Sequence, residues 1–453
     1  MVEISKKVEI ILKDPENSLI VLSGCGTSGR VAFLLATSLN RWLVALHQKQ
    51  IYSYIIAGGD KALLTSQEAP EDNPSLGALM LDKASTGKKH VLFIGISCGL
   101  SAPFVAGQLH FCLNNLDVFT PVLVGFNPVH MARSEPMQDF PFNFKEIAEK
   151  MSEMQKHQKA FVLNPAVGPE VITGSSRMKG GTATKLMLET VLLAGHEAVY
   201  SNEAVTADNV LASVRMNEKV YETTYSQIDK LAALLQKAGV SLQEKGHVYY
   251  LGWQTLGIIG IIDASECIPT YGAGTGPRFA IAHTDFVNAI LPSLTDKDMV
   301  IFLFSKQHWE LSTKWCLNAI STGAHILKGK VYRNYMIDLR VTNSKLFRRA
   351  IHILQRFTNS TQTQCETALL RSIYDVEELT DEISSADVTQ HTLMANQKDR
   401  VRACSEINAF IKVQMELPGQ TQGLYNTGMT RDRWETGVNN QGWSSETRGQ
   451  DIK

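Results

Sequence analysis

Across 453 residues the sequence has no basic tract, no interleaving of aromatic and basic residues and a formal charge of only −1, so nothing in it calls for nucleic acid. No apolar run reaches the roughly 18 to 20 residues that span a bilayer, and no signal-peptide pattern precedes Ile10, so no membrane role is expected. The seven cysteines (Cys25, Cys98, Cys112, Cys267, Cys316, Cys365 and Cys404) show neither CxxC nor Cys/His metal spacing. They read as reduced core or loop thiols of an intracellular protein, and no metal or cofactor is expected. The length exceeds one compact domain and suits two or three.

What is present centres on Gly168 to Lys185, G-P-E-V-I-T-G-S-S-R-M-K-G-G-T-A-T-K. A Gly-rich loop with hydroxyls at Thr173, Ser175 and Ser176 and cations at Arg177 and Lys179 runs into an apolar helix. Such a loop offers backbone NH groups, hydroxyl donors and a helix N-terminus to an anion, a phosphate above all. A second loop of this kind, Gly24-Cys-Gly-Thr-Ser-Gly-Arg30, follows the apolar run Leu19 to Leu22 and precedes a helical run, Arg30 to Leu46. Strand, Gly/Ser turn and helix are the parts of a phosphate site at the carboxyl end of a parallel sheet. Ser97, Gly99 and Ser101 form another Ser/Gly turn after the run His90 to Ile96. Glu68, Glu71 and Asp72 follow the turn Ala57 to Asp60; a carboxylate there accepts sugar hydroxyls or acts as a base, unless the loop is simply solvated.

Between these loops strand-like and helix-like runs alternate. After a first amphipathic helix, Val2 to Lys13, strands fall at 19–22, 52–56, 90–96, 121–125 and 160–163, and helices at 30–46, 75–84, 102–113, 144–158 and 182–194. This alternation predicts an α/β fold, a doubly wound parallel sheet covered on both faces.

An internal repeat follows. Gly24, Thr27 and Gly29 pair in register with Gly252, Thr255 and Gly257, while Ser28 becomes Leu256 and Arg30 becomes Ile258, so the second copy folds alike without gripping phosphate. T-A-T-K-L-M-L-E-T at Thr182 to Thr190 repeats as L-S-T-K-W-C-L-N-A at Leu311 to Ala319. Between the two landmarks the first copy has roughly 155 residues and the second about 56, so the second sheet is expected to be incomplete, with uncovered apolar surface. It retains a Gly/Pro break (Gly272 to Pro277), a helix-like run (Phe286 to Leu291) and a strand (Met299 to Phe304). The predicted organisation is a first sheet domain over 1–198, a shortened second over 199–330, a helical region over 331–416 and a disordered tail over 417–453.

G-T-S-G-R, the A-G-G turn with E-x-x-E-D, and G-P-E-V-I-T-G-S-S-R-M-K-G-G-T-A-T-K resemble the sugar isomerase (SIS) family, with its flavodoxin-like sheet. The branch is the one shared by bacterial N-acetylmuramic acid 6-phosphate etherases and vertebrate glucokinase regulatory proteins. G-I-S-C-G-L-S-A-P-F-V-A-G-Q, G-H-V-Y-Y-L-G-W-Q-T-L-G-I-I and L-S-T-K-W-C-L-N-A-I-S-T-G-A-H extend the resemblance to about Ala386. It implies a double SIS protein of cytoplasm and nucleus that binds fructose 6-phosphate or fructose 1-phosphate. The first ligand promotes inhibition of glucokinase and the second relieves it. The implied ligand positions are Thr27, Ser28, Glu71, Ser97, Cys98, Gly99, Ser101, Ser176 and Lys345, and a secondary partner contact is implied at Asp117 and Val118. Relative to the family pattern the chain lacks an N-terminal cap, the middle of the second SIS domain and any likeness over Arg402 to Lys453. This points to an alternatively spliced or mispredicted form in which ligand binding outlasts inhibition.

An enzyme of the etherase type is the alternative. That resemblance places an acid/base glutamate eight positions after the Arg of G-T-S-G-R, where this chain has Ser38, which cannot serve as an acid or base near neutral pH. Glu266 stands at the matching place of the second repeat, whose grip residues are lost. One copy keeps the grip and the other keeps the acid, a division that predicts a non-catalytic sensor.

Overall fold

The computed structural model describes residues 1–273, 293–304, 310–337 and 339–397. The expected helix over 286–291, most of the Gly/Pro break, Cys404 and the expected disordered tail lie outside the described residues.

In chain order the first half comprises α1 (Val2–Lys13), β1 (Ser18–Gly24), α2 (Gly26–Ala45), β2 (Tyr52–Ile56), α3 (Lys61–Leu64), a 3-10 turn (Ala69–Asp72), α4 (Pro74–Ser85), β3 (His90–Ile96), α5 (Pro103–Leu113), β4 (Phe119–Val124), α6 (Phe144–Gln155), β5 (Phe161–Leu163) and α7 (Lys179–Tyr200). Its sheet runs β2-β1-β3-β4-β5, every pair parallel. That order reverses between β1 and β3, the switch point at which doubly wound sheets bind ligands. Alternation along the strands separates the two faces. Ile20, Leu22, Leu92 and Ile94 pack with α1, α2 and α7, while Val21, Val91 and Phe93 pack with α4, α5 and α6. α1 lies along α7 and contributes Ile4, Val8, Ile11 and Leu12 to the core, while Ile10 faces solvent.

The second half adds α8 (Ala207–Tyr225), α9 (Ile228–Gln243), β6 (Val248–Gly252), α10 (Gln254–Tyr271), β7 (Met299–Leu303) and α11 (Glu310–Leu327). β6 and β7 pair in parallel, and among the described residues they are the whole of the second sheet. The motif reading had no place for α8 and α9. α8 buries only Val210 and Thr224, so its apolar stripe is too thin to show as a period.

The region after α11 is a correction. Val331 to Asn343, expected as helix, begins with a hairpin of β8 (Val331–Tyr332) and β9 (Tyr335–Met336), turned at Arg333 with φ 55°. Asn343 then caps α12 (Ser344–Thr358) by accepting from the Leu346 amide at 2.9 Å. α13 (Gln362–Tyr374), α14 (Asp381–Ser385) and α15 (Val388–Gln397) follow. Leu346, Phe347, Ala350, Ile351, Ile353 and Leu354 form one buried face of α12 against α13 and α15. The six described cysteines are free thiols, three of them buried.

Candidate functional site

One cavity of about 450 Å³ opens at the carboxyl ends of the first sheet's strands. All nine positions implied as ligand contacts line it: Thr27 and Ser28 from the first turn of α2, Glu71 from the 3-10 turn, Ser97, Cys98, Gly99 and Ser101 from the turn after β3, Ser176 from the loop before α7, and Lys345 from α12. Backbone geometry brings the α2 turn close. A Cβ on Gly24 would stand 2.7 Å from that of Ser28, and one on Gly29 2.5 Å from Ile56, so both must be glycine. Gly26 holds φ 49°, where a side chain is strained. The Ser97 hydroxyl oxygen accepts from the amides of Ser101 (3.0 Å) and Ala102 (3.2 Å), which leaves its own proton to donate. Ser28 Oγ lies 3.6 Å from Cys98 Sγ, whose thiol is pushed up by burial.

The acidic turn is not a solvated loop. Lys345 Nζ donates to Glu71 Oε2 at 2.7 Å, Asp72 accepts from the Ser344 amide (2.9 Å) and hydroxyl (2.8 Å), and Asn343 donates to the Glu68 carbonyl at 3.3 Å. These bonds seat α12 over the cavity. Burial raises the Glu71 carboxyl, Lys345 holds it back, and Glu68 and Asp72 push it up again. Burial alone would lower Lys345, but Glu71 and Glu68 keep it charged.

Two expectations for the organising loop fail. The N-terminus of α7 is not open to an anion, because Glu170 already accepts from the amides of Lys179 (3.0 Å) and Gly180 (2.7 Å). Arg177, expected to face an anion, is 2% exposed and donates to Asp263 at 2.9 Å in the second half. The α2 turn and the Ser97 turn also bring backbone to the cavity, so an anion there does not depend on the α7 terminus.

The separation of grip from acid fails too. Glu266, on α10 of the second half, lines the cavity that holds Thr27 and Ser28. Neither of its carboxylate oxygens makes a close hydrogen bond, although the Thr27 side chain and Arg177 Nη1 (3.9 Å) stand beside it, and Nε and Nη2 of buried Arg30 in the same cavity are likewise unpartnered. Burial raises the Glu266 carboxyl, and Arg177, Arg30 and Lys314 hold it back. Its counterpart Ser38 likewise reaches across, donating to Glu310 at 3.2 Å. The register of the repeat pointed to Glu266, but not that each copy delivers this position to the other. Arg349, which the motif reading missed, joins from α12; its guanidinium lies over Gly174, where a Cβ would sit 2.6 Å away. Asp117 and Val118 precede β4 and so lie at the other end of the sheet, Asp117 exposed. Among the described residues no cluster of His, Cys, Asp and Glu could hold a metal, and no helix is long and apolar enough to cross a membrane.

Residues 3–113 match the glucokinase regulatory protein N-terminal SIS domain, 225–276 and 273–308 match its second SIS domain in two pieces, and 333–427 match its C-terminal lid domain. A glucokinase regulatory protein of Xenopus laevis is 41% identical over 93% of this chain and 86% of its own length. This chain belongs to the glucokinase regulatory protein family. Another family member, from Homo sapiens, is 43% identical over 88% of this chain and 78% of its own. The Xenopus alignment spans 531 positions although the chain has 453 residues, so that family member carries stretches absent here. The family lid match runs to residue 427, which corrects the expected lack of family likeness from Arg402 onward over 402–427. An N-acetylmuramic acid 6-phosphate etherase 2 of Vibrio cholerae is 33% identical over 48% of the chain and 64% of its own. Among solved structures, a putative tagatose-6-phosphate ketose/aldose isomerase from Clostridium novyi NT has a TM-score of 0.43 at 12% identity, over 72% of this chain and 86% of that one.

Proposed function

We propose that this chain is a non-catalytic regulator that senses fructose 6-phosphate or fructose 1-phosphate in the first-half cavity and, according to which is bound, holds or releases a glucokinase. The supporting observation is the convergence of Thr27, Ser28, Ser97, Ser101 and Ser176 on one cavity with Glu71 and Lys345 opposite. Hydroxyls and helix-start amides suit a phosphate, and a carboxylate suits sugar hydroxyls. The cavity volume fits a ligand of this size. The open face around Asp117 and Val118, at the far end of the sheet, is where partner contact is proposed. The work would be done in cytoplasm and nucleus, as the family resemblance implies.

Thermal melting with and without millimolar fructose 1-phosphate or fructose 6-phosphate tests the ligand. A ligand that binds only the native state adds about 2.7 kcal/mol at a hundredfold excess over its dissociation constant. The Ser28→Ala, Ser176→Ala double variant should lose the shift. A cooperative melt that neither sugar phosphate moves would end the proposal. The second reading, a sugar-phosphate lyase or isomerase, draws on Glu266, a buried carboxylic acid beside the grip. Turnover of an amino- or muramic-sugar phosphate that disappears in Glu266→Gln would establish it instead.

A further inference from the structure

Arg177 lines the cavity beside Ser176, yet the hydrogen bonds of its guanidinium all go to the second half. Nη1 donates to Asp263 (2.9 Å), and Nη2 donates to Ser321 (2.8 Å), Thr322 (2.7 Å) and the Tyr271 hydroxyl (3.3 Å). The backbone is held as well, since Lys314 Nζ donates to the Arg177 carbonyl at 2.6 Å and to Asn318 at 2.6 Å. Asp263 in turn accepts from Asn318 (2.7 Å), Ser321 (3.0 Å) and Tyr250 (3.0 Å). Every one of these side chains is buried, on β6, α10 or α11. Surface pairs of this type are screened and loose, whereas a dry network with this many bonds to one residue admits one arrangement of it.

We infer that Arg177 is a positioning residue: the second half uses it to hold Ser175 and Ser176 at the cavity, so that occupancy of the cavity and order in α11 are coupled. The inference rests on the sugar-phosphate reading above. Coupling of this kind is reciprocal, so a ligand that favours the held loop must also steady α11, although no residue of α11 lines the cavity. An apolar anchor would pack the two halves together but would not fix the loop's main chain and side chain at once.

Hydrogen exchange and calorimetric titration of the full chain with fructose 1-phosphate test this. In the wild type the ligand should slow amide exchange over 310–327. In Asp263→Asn, and in the milder Ser321→Ala, Thr322→Val pair in case the first does not fold, affinity should drop about tenfold and that slowing should vanish. Val248→Ala weakens the core of the same half from β6, off α11 and outside the network, and should leave affinity unchanged. Equal affinity in wild type and network variants would overturn the inference, as would an equal loss in Val248→Ala. Binding without any slowing over 310–327 in the wild type would do the same. A wild type that binds no sugar phosphate would fell the functional reading, and the inference with it.

Discussion

Behind the turn at Gly24 stands a five-stranded sheet; behind its counterpart at Gly252 stand two strands among the described residues. The local geometry is nevertheless repeated. Gly252 allows no more room than Gly24, since a Cβ there would lie 2.7 Å from the Gly257 backbone, and Gln254 holds φ 51° where Gly26 holds 49°. The later landmark also extends further than the motif suggested. Lys185 and Lys314 each bond the residue four positions on, Glu189 and Asn318, and each helix then buries a histidine at the same offset, His196 and His325. The surroundings are what differ. Cys25 lies in the cavity, whereas its counterpart Trp253 is 66% exposed, with Phe304 at 86% beyond the end of β7. A turn can outlive the site it once framed, because backbone closure needs only the glycines, while a cavity needs the rest of the sheet and its lid.

The sharpest test of the comparison is the lysine pair. Lys185 is held charged between Glu189 (2.7 Å) and Glu310 (3.0 Å), whereas burial lowers Lys314, whose bonds go to uncharged acceptors, to about 8. Lys185→Met strands a buried carboxylate and should cost about 3 to 5 kcal/mol. Lys314→Met strands two neutral acceptors and removes a poorly stabilised charge, so about 1 to 3 kcal/mol is expected. Urea midpoints that fall equally would show that the two copies keep one chemistry.

Acid should strike both halves alike. Burial lowers His196 and His325 to about 4 each, so both are neutral in the fold while the unfolded chain takes up protons below its ordinary histidine pKa. The unfolded state then binds more protons, and stability falls as pH drops from about 6.5 to 4, by on the order of 3 kcal/mol per histidine. His196→Phe and His325→Phe should each flatten this slope in a melting series. A slope that only one of them removes would break the equivalence.

A smaller effect is expected at the turn. Gln254→Gly relieves left-handed strain and should stabilise by about 1 kcal/mol, while Gly26→Ala imposes it and should destabilise by a similar amount. Guanidinium midpoints moving in opposite directions check the pair. Smallest of all, Phe302→Lys, on a strand where that ring is 67% exposed, should change stability by less than about 0.5 kcal/mol. It should also lower any self-association seen by sedimentation, since a charge on an open strand opposes edge pairing.

Strand and helix alternation, both Gly turns and most cavity residues were legible in the sequence, because each rests on short-range rules: period, capping and the space a turn leaves. The hairpin at Val331 was not, since V-Y-R-N-Y-M fits either period until Thr173 donates its amide to the Asn334 carbonyl at 2.8 Å. Glu170 was not either; nothing local says that a carboxylate nine positions before Lys179 will turn back to cap its helix.

The sequence by itself determined the parts: a parallel sheet, two glycine turns of one shape, with Ser28 and Arg30 at the first and Leu256 and Ile258 in their places at the second. Tertiary structure alone decided which parts meet. Packing of α10 against α2 carries Glu266 into the other copy's grip, and docking of the 68–72 turn on α12 brings Lys345 to Glu71. The buried network turns the guanidinium of Arg177, a residue that still lines the cavity, onto Asp263 of the second half. Contacts at such separations follow from how whole faces are buried, which no local pattern encodes.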